Sequence, residues 1–111
     1  MPTNSSFQPV ILHASDDGSD VERGLRLSKS IKANPQCSDS VFLVINHTAI
    51  TAAPSIHRED IPAGVEVYAC ATALSTHKIA QESLDPAIHV VPSGIVFIAE
   101  QQRHQAFYIR L

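Results

Sequence analysis

Apolar residues in this chain fall into short runs separated by polar, proline-containing or glycine-containing breaks. Val10-Ile11-Leu12-His13, after Pro9, is the first run. Its length and continuity suit a strand buried on both faces. Ala14-Ser15-Asp16-Asp17-Gly18 reads as the loop after it, a plain turn without a phosphate-binding glycine run. The period then changes. Val21, Leu25, Ser28 and Ile31 recur at spacings of three and four, which makes one face of a helix running from about Asp20 to Lys32 apolar. Leu27 widens that face. Ser19 or Asp20 is the expected N-cap, with Glu22 adding acid to the first turn. Asn34-Pro35 ends the helix, because the residue before proline avoids helical angles. Arg23, Arg26, Lys29 and Lys32 form its solvated side, available to an acidic partner surface.

Val41-Phe42-Leu43-Val44-Ile45 is the clearest strand, with three β-branched residues. Ala49 to Ala53 reads as one helical turn stopped by Pro54, and Ser55 to Pro62 as a polar surface loop. Val65 to Ala69 is a third strand running straight into a short helix, Cys70 to Ser75. Thr76 is placed to cap a second short helix, His77 to Leu84, broken by Asp85-Pro86. Ile88 to Val91 is a fourth strand, stopped by Pro92-Ser93-Gly94. Ile95 to Arg103 is a helix whose apolar residues Ile95, Val96, Phe97, Ile98 and Ala99 cover more than one face. Such a helix would pack against the sheet and against another subunit. Ala106 to Ile109 is the last strand. Strands alternating with helices predict an α/β fold: a mostly parallel five-stranded sheet with helices on both faces.

Composition narrows this picture. The length of 111 residues makes one domain, with residues 1–7 as a disordered lead and 8–111 as the folded unit. Four Phe, two Tyr and no Trp leave the core to Val, Ile, Leu and Ala. A net charge of −3 argues against a general nucleic-acid binder, which needs a basic surface to displace counterions. No apolar run approaches the ~20 residues of a membrane span, and the first residues lack the basic and apolar regions of a signal peptide. Two cysteines do not make a disulfide framework. The expectation is a cytoplasmic protein with reduced thiols and no nucleic-acid or membrane partner.

Ligands of open parallel sheets sit beyond the carboxyl ends of the strands. His13, Asn46, His47, Cys70 and Ser93 all fall at such ends, so a parallel sheet predicts that they share an edge. Cys70 stands where a helix begins, and the unpaired amides and macrodipole there favour a thiolate. The competing reading is a small apolar residue filling a strand–helix corner. Cys37 lies in a loop at the opposite edge of the sheet, so no disulfide to Cys70 is expected. The six histidines show no pair with the close spacing of a helical or finger-type zinc site. A three-ligand site from His13, His47 and Cys70 is a rival if their strand ends converge; otherwise no metal and no cofactor is called for. His57, His77 and His104 read as surface residues.

Two motifs, Gly64-Val65-Glu66-Val67-Tyr68-Ala69-Cys70 and Val91-Pro92-Ser93-Gly94 before an apolar helix, give the chain a recognisable outline. Together with Val10 to His13, Val41 to Asn46 and the closing Gln101 to Ile109, the sequence resembles the DsrE/DsrF-like sulfur-relay superfamily over nearly its whole length. That resemblance implies a three-layer α/β/α fold, assembly into homotrimers, hexamers or hetero-oligomers, and a persulfide-carrying cysteine at Cys70 that passes sulfur to a partner protein. The chain departs from the relay pattern in places. Relay subunits tend to carry Arg-Gly soon after the cysteine, where Ser75-Thr76 stands here. Members often have glycine at the positions of His47 and Gln105-Ala106. These differences put the chain nearer the single-gene members of the superfamily. The expected function is a homo-oligomeric sulfur carrier or sulfurtransferase-type relay through Cys70, with His13, Asn46, His47 and Ser93 lining its pocket. The rivals are a non-catalytic small-ligand or protein-interaction module of the same fold, and a metal-assisted or hydrolytic enzyme using the same strand ends.

Overall fold

The computed structural model of the chain describes residues 8–34, 36–37 and 40–111; the lead expected over 1–7 lies outside them. Five strands form one sheet: β1 (Val10–Ala14), β2 (Val41–Ile45), β3 (Val65–Cys70), β4 (His89–Val91) and β5 (Phe107–Arg110). Every pairing is parallel and the order is β4-β3-β2-β1-β5. Three α-helices join them: α1 (Gly18–Ala33), α2 (Ala71–Thr76) and α3 (Gly94–Arg103).

Strand side chains alternate between the two sheet faces. Val10, Leu12, Val41, Leu43, Ile45, Val65 and Val67 build the larger core with Val21 of α1 and Ala73 and Leu74 of α2. Ile11 and Val44 face the other way, onto Ile98 of α3, with Phe42, Tyr68 and Phe97 at the margin. The sequence expectation of an aliphatic core holds: among the described residues no Phe or Tyr is fully buried. The aromatic rings stack at the edge of the smaller cluster instead, Tyr68 lying 4.2 Å from Phe97 and 4.9 Å from His89 between ring centroids.

Several element expectations need correction. α1 starts earlier than the apolar period suggests: the Asp17 carboxylate, not Ser19 or Asp20, caps it by accepting from the Ser19 amide. Leu27 is exposed and does not widen the buried face, which is carried by Val21, Gly24 and Ser28. Pro54 lies inside a 3₁₀ helix, His47–Ser55, rather than stopping a turn before it; near the helix end the missing N–H forfeits little. Ile56 is buried, and Arg58–Asp60 forms a further 3₁₀ turn, so the stretch from Ser55 to Pro62 is not a plain surface loop.

No helix forms over His77 to Leu84. Lys78 adopts φ 57°, the Lys78 amide donates to the Ser75 carbonyl, and the Ile79 amide donates to that of Leu74. This is a Schellman closure, which terminates a helix through a left-handed residue. The segment then keeps only a 3₁₀ turn, Gln81–Ser83. It is pinned by buried Leu84 and Ile88 and by Asp85, whose carboxylate accepts from the Ala87 and Arg58 amides. Those two bonds hold the Asp85 carboxyl below its usual range.

α1 approaches the sheet closely because of Gly24. A Cβ there would lie 2.7 Å from Leu43 Cδ1 and 2.9 Å from Leu111 Cδ1, and Leu43 is fully buried. Gly24→Ala improves helix propensity by about 1 kcal/mol, but the overpacking it forces costs roughly 1–3 kcal/mol. The expected net result in urea unfolding is a destabilised protein. Ser30→Ala on the exposed side of the same helix is expected to be neutral or slightly stabilising. A stabilised Gly24→Ala would show that α1 has room to move off the sheet.

Candidate functional site

The order of the strands decides where a cleft can form. The chain steps from β1 through β4 in one direction and returns to place β5 beyond β1. Parallel crossovers are right-handed, so a reversal of direction puts the returning helix on the opposite face. The connection leaving β3 is α2, packed with the larger core, and the connection leaving β4 is α3, packed with the smaller one. The carboxyl ends of β3 and β4 are therefore where neighbouring connections diverge to opposite faces, the place where open α/β sheets bind ligands.

A cleft of about 300 Å³ lies at that point. Asn46, His47, Cys70 and Ser93, four of the five residues singled out from the sequence, line it. The register explains their meeting: Ile45 pairs with Ala69 and Cys70 with Val91, so the ends of three adjacent strands present Asn46, Cys70 and the turn carrying Ser93. Cys70 is the N-cap of α2 and 6% exposed. Ser93 caps α3, its hydroxyl accepting from the Val96 amide at 3.3 Å. The Val-Pro-Ser-Gly turn has a further role. A Cβ on Gly94 would sit 3.3 Å from Asn46 Cβ and 3.4 Å from Cys70 Cβ, so the start of α3 lies close against both residues with little room for a side chain.

Sequence reasoning missed other parts of the wall. Thr72 lines the cleft and donates from Oγ1 to the Pro92 carbonyl at 3.1 Å, tying α2 to the turn before α3. His77, read as a surface residue, is exposed but also lines the cleft, as does Ile95. The periodic signal gave no hint of them, because their positions follow from where α2 stops and α3 begins. His57 and His104 are exposed as expected. No carboxylate, lysine or arginine lines the cleft. Its polar groups are hydroxyls, an amide and two imidazoles.

His47 holds φ 49°. A left-handed residue other than glycine costs roughly 1–2 kcal/mol, although His tolerates it better than most. Gln105 has φ 69° and closes α3 as Lys78 closes α2, with Gln105 and Ala106 amides bonded to Gln102 and Gln101 carbonyls.

His13 does not line the cleft. It lies behind it, 4% exposed, with Nδ1 2.6 Å from the Tyr108 hydroxyl and Nε2 2.8 Å from Asn46 Oδ1. Tyr108 is another residue the sequence did not flag. A neutral imidazole has one donor and one acceptor. Since Asn46 offers its carbonyl oxygen, Nε2 carries the proton and Nδ1 accepts from Tyr108, an assignment taken from the hydrogen-bond network. With both ring nitrogens engaged, the imagined His13–His47–Cys70 metal site loses a ligand. Among the described residues no group of three or more His, Cys, Asp or Glu is placed to hold a metal ion. Cys37 is exposed in its loop, and both cysteines are free thiols. A wider depression of about 730 Å³ lies beside α1 and the 47–60 segment, away from the strand ends, and is lined by neither cysteine nor histidine.

Burial pushes the His13 pKa below 6.5; the Asn46 hydrogen bond opposes that shift, and Arg110 adds to it. With a folded-state value below the unfolded one, the unfolded chain binds the extra proton first as pH falls. Stability is then fully present above 6.5 and is lost as pH drops from there toward the folded value. Denaturation midpoints are expected to fall just below pH 6.5 in the wild type, and this part of the slope is expected to disappear in His13→Gln. An unchanged slope in that variant would place the titrating group elsewhere.

No family model matches the chain, and no curated protein matches it. Among solved structures, it is similar to a protein of unknown function, MTH1491 from Methanobacterium thermoautotrophicum, with TM-score 0.76 and 22% identity over 95% of this chain and 100% of that one. At that identity the likeness extends to the fold. The all-parallel α/β architecture is thus one that a second natural protein shares along its full length.

Proposed function

We propose that this chain is a DsrE-like sulfur carrier acting through Cys70. The observation that carries the reading is the position of Cys70: at the divergence of the sheet's connections, on the wall of a cleft free of carboxylates and fixed cations. The motifs that resemble the sulfur-relay superfamily meet at this same spot. Its balance is simple. The Cys70 thiolate attacks the outer sulfur of a donor persulfide; a new S–S bond forms as the donor's S–S bond breaks, and the donor leaves as its thiolate. In the second step an acceptor thiolate attacks the outer sulfur and Cys70 is the leaving group. Sulfur moves as a neutral atom, so no external oxidant enters. A reducing cytoplasm suits two free thiols.

The low exposure of Cys70 favours a second reading, a binding module of the same fold without a covalent step. Sulfur uptake separates the two. After incubation with inorganic polysulfide, intact mass is expected to show one added sulfur on the wild type and none on Cys70→Ser. Absence of added sulfur on the wild type, with Cys70 still open to alkylation, would favour the binding module.

A relay needs protein contact, and two apolar surfaces are open to it. Ile95, on the cleft rim, is 57% exposed with Val96 beside it, and the edge strand β5 exposes Phe107 (59%) and Ile109. We propose that a second copy of the chain covers them. Each copy lacks cover on the same surfaces, the condition for a symmetric assembly. Light scattering at micromolar concentration is expected to give a dimer or larger. A monomer, or an assembly unaffected by Phe107→Ser and Ile95→Ser, would contradict this.

A further inference from the structure

The Asn46 side chain carries a hydrogen-bonding capacity that sulfur transfer through Cys70 alone leaves unused. Asn46 is 9% exposed and lines the Cys70 cleft. Its Oδ1 is occupied by His13 Nε2. The other half of the amide is a pair of N–H donors, and among the described residues Nδ2 has no protein partner. A buried donor without an acceptor is uncommon in native proteins and calls for a ligand or water.

The direction of that donor is set from behind. With Asn46 Oδ1 facing Nε2, the ring proton sits on Nε2 and Nδ1 accepts from the Tyr108 hydroxyl, so each group of the chain holds the next in its orientation. A proton on Nε2 demands the carbonyl side of Asn46, and this turns Nδ2 the other way. Cys70 starts close by: Gly94 brings the Asn46 and Cys70 Cβ atoms against one point of α3. No cleft residue is a carboxylate that could claim the donor. His47 and His77, on the outer wall, are exposed and do not replace a buried donor.

We infer that Asn46 Nδ2 donates a hydrogen bond to an anionic sulfur held beside Cys70, and that Tyr108 and His13 are positioning residues that keep this donor turned into the cleft. The identity of that sulfur as the outer atom of a Cys70 persulfide rests on the carrier reading above; the donor's presence does not. In the transfer step the outer sulfur carries the negative charge once the donor thiolate has left, and a hydrogen bond to a charged acceptor is stronger than one to a neutral acceptor. Tyr108→Phe removes the O–H that makes Nδ1 an acceptor. The ring is then free to hold its proton on Nδ1, Nε2 becomes the acceptor, and Asn46 must turn Nδ2 away from the cleft to satisfy it.

Two measurements test this. The first is the rate of sulfur uptake from inorganic polysulfide. Asn46→Asp keeps an oxygen for His13 and sets a second oxygen where the donor was; the rate is expected to fall about tenfold or more. Tyr108→Phe, altered at a residue 39% exposed and outside the cleft wall, is expected to slow uptake in the same direction while still reaching one sulfur per chain. A wild-type rate in Asn46→Asp overturns the donor, and a wild-type rate in Tyr108→Phe overturns the positioning role. The second measurement is independent of covalent transfer. Heteronuclear NMR of the Cys70→Ser protein is expected to show the Asn46 side-chain amide shifting saturably with thiosulfate and His13 protonated on Nε2, with the tautomer changed and the shift lost on adding Tyr108→Phe. An Asn46 amide that ignores thiosulfate overturns the inference even if sulfur uptake occurs. An amide that responds, in a protein whose wild type takes up no sulfur, supports the donor and retires the carrier reading.

Discussion

The rule that parallel crossovers are right-handed constrains this molecule more than any single contact. Four strands are laid down in one direction and the fifth must return past all of them. The return cannot use the face already occupied by α1 and α2, so α3 crosses the other one. The cleft is the gap left where the two paths part. Its chemistry depends on the first residue of α3 being able to touch the ends of β2 and β3. Gly94 leaves that approach unobstructed: a Cβ there would lie 3.3–3.4 Å from the Cβ atoms of both Asn46 and Cys70, tight enough that the neighbours would have to give slightly. The close packing of α3 and the shape of the cleft therefore depend on the same residue.

The polar chain from exposed Tyr108 through buried His13 to Asn46 joins the edge of the sheet to the cleft. β5 is added last in sequence and stands at the sheet's edge with its side chains exposed. Besides its main-chain ladder to β1, two side chains of one row hold it in place: Tyr108 to His13 and Arg110 to Asp16 at 2.8 Å. The exposed Arg110–Asp16 pair contributes little to stability. The His13 bond matters more, because an unsatisfied buried imidazole is unfavourable. Whatever covers β5 in an assembly would therefore lie one residue from a group that orients Asn46. The apolar edge and the polar cleft are separate surfaces joined by a single imidazole.

Much of this was legible in the chain. All five strands appear within a residue or two of their apolar runs, since strands buried in a parallel sheet are nearly continuous in hydrophobic character. The placement of polar residues at strand ends correctly brought Asn46, His47, Cys70 and Ser93 together. It did so without the strand order, because any parallel arrangement puts those ends on one edge. What failed had local causes. The helix expected at 77–84 was stopped by a left-handed Lys78, which no proline or glycine announced. The cap of α1 slid back to Asp17 because a side chain that satisfies a first-turn amide outweighs the point where the apolar period begins. His13 was placed on the wrong side of Asn46. Its partner Tyr108 is 95 residues away in sequence, and that contact exists only because β5 returns to lie against β1.

The left-handed residues sharpen the distinction between fold and site. Lys78 and Gln105 both close helices, where the hydrogen bonds of the Schellman motif compensate for the strained φ. Glycine at either position would serve the fold at least as well. His47 closes no α-helix; it opens the 3₁₀ helix after β2. It lies two residues beyond the end of β2, its imidazole Nδ1 is 3.1 Å from Thr48 Oγ1, and it stands on the cleft wall. Left-handed backbone at residues other than glycine tends to gather at binding and switch sites. At His47 the left-handed turn sets an imidazole beside Cys70's cleft, where glycine would leave a bare backbone. The imidazole stands at the rim of the same cleft that Asn46 lines from within. The two left-handed positions thus differ in kind: Gln105 closes a helix through backbone hydrogen bonds, and His47 sets a side chain on the wall of the cleft.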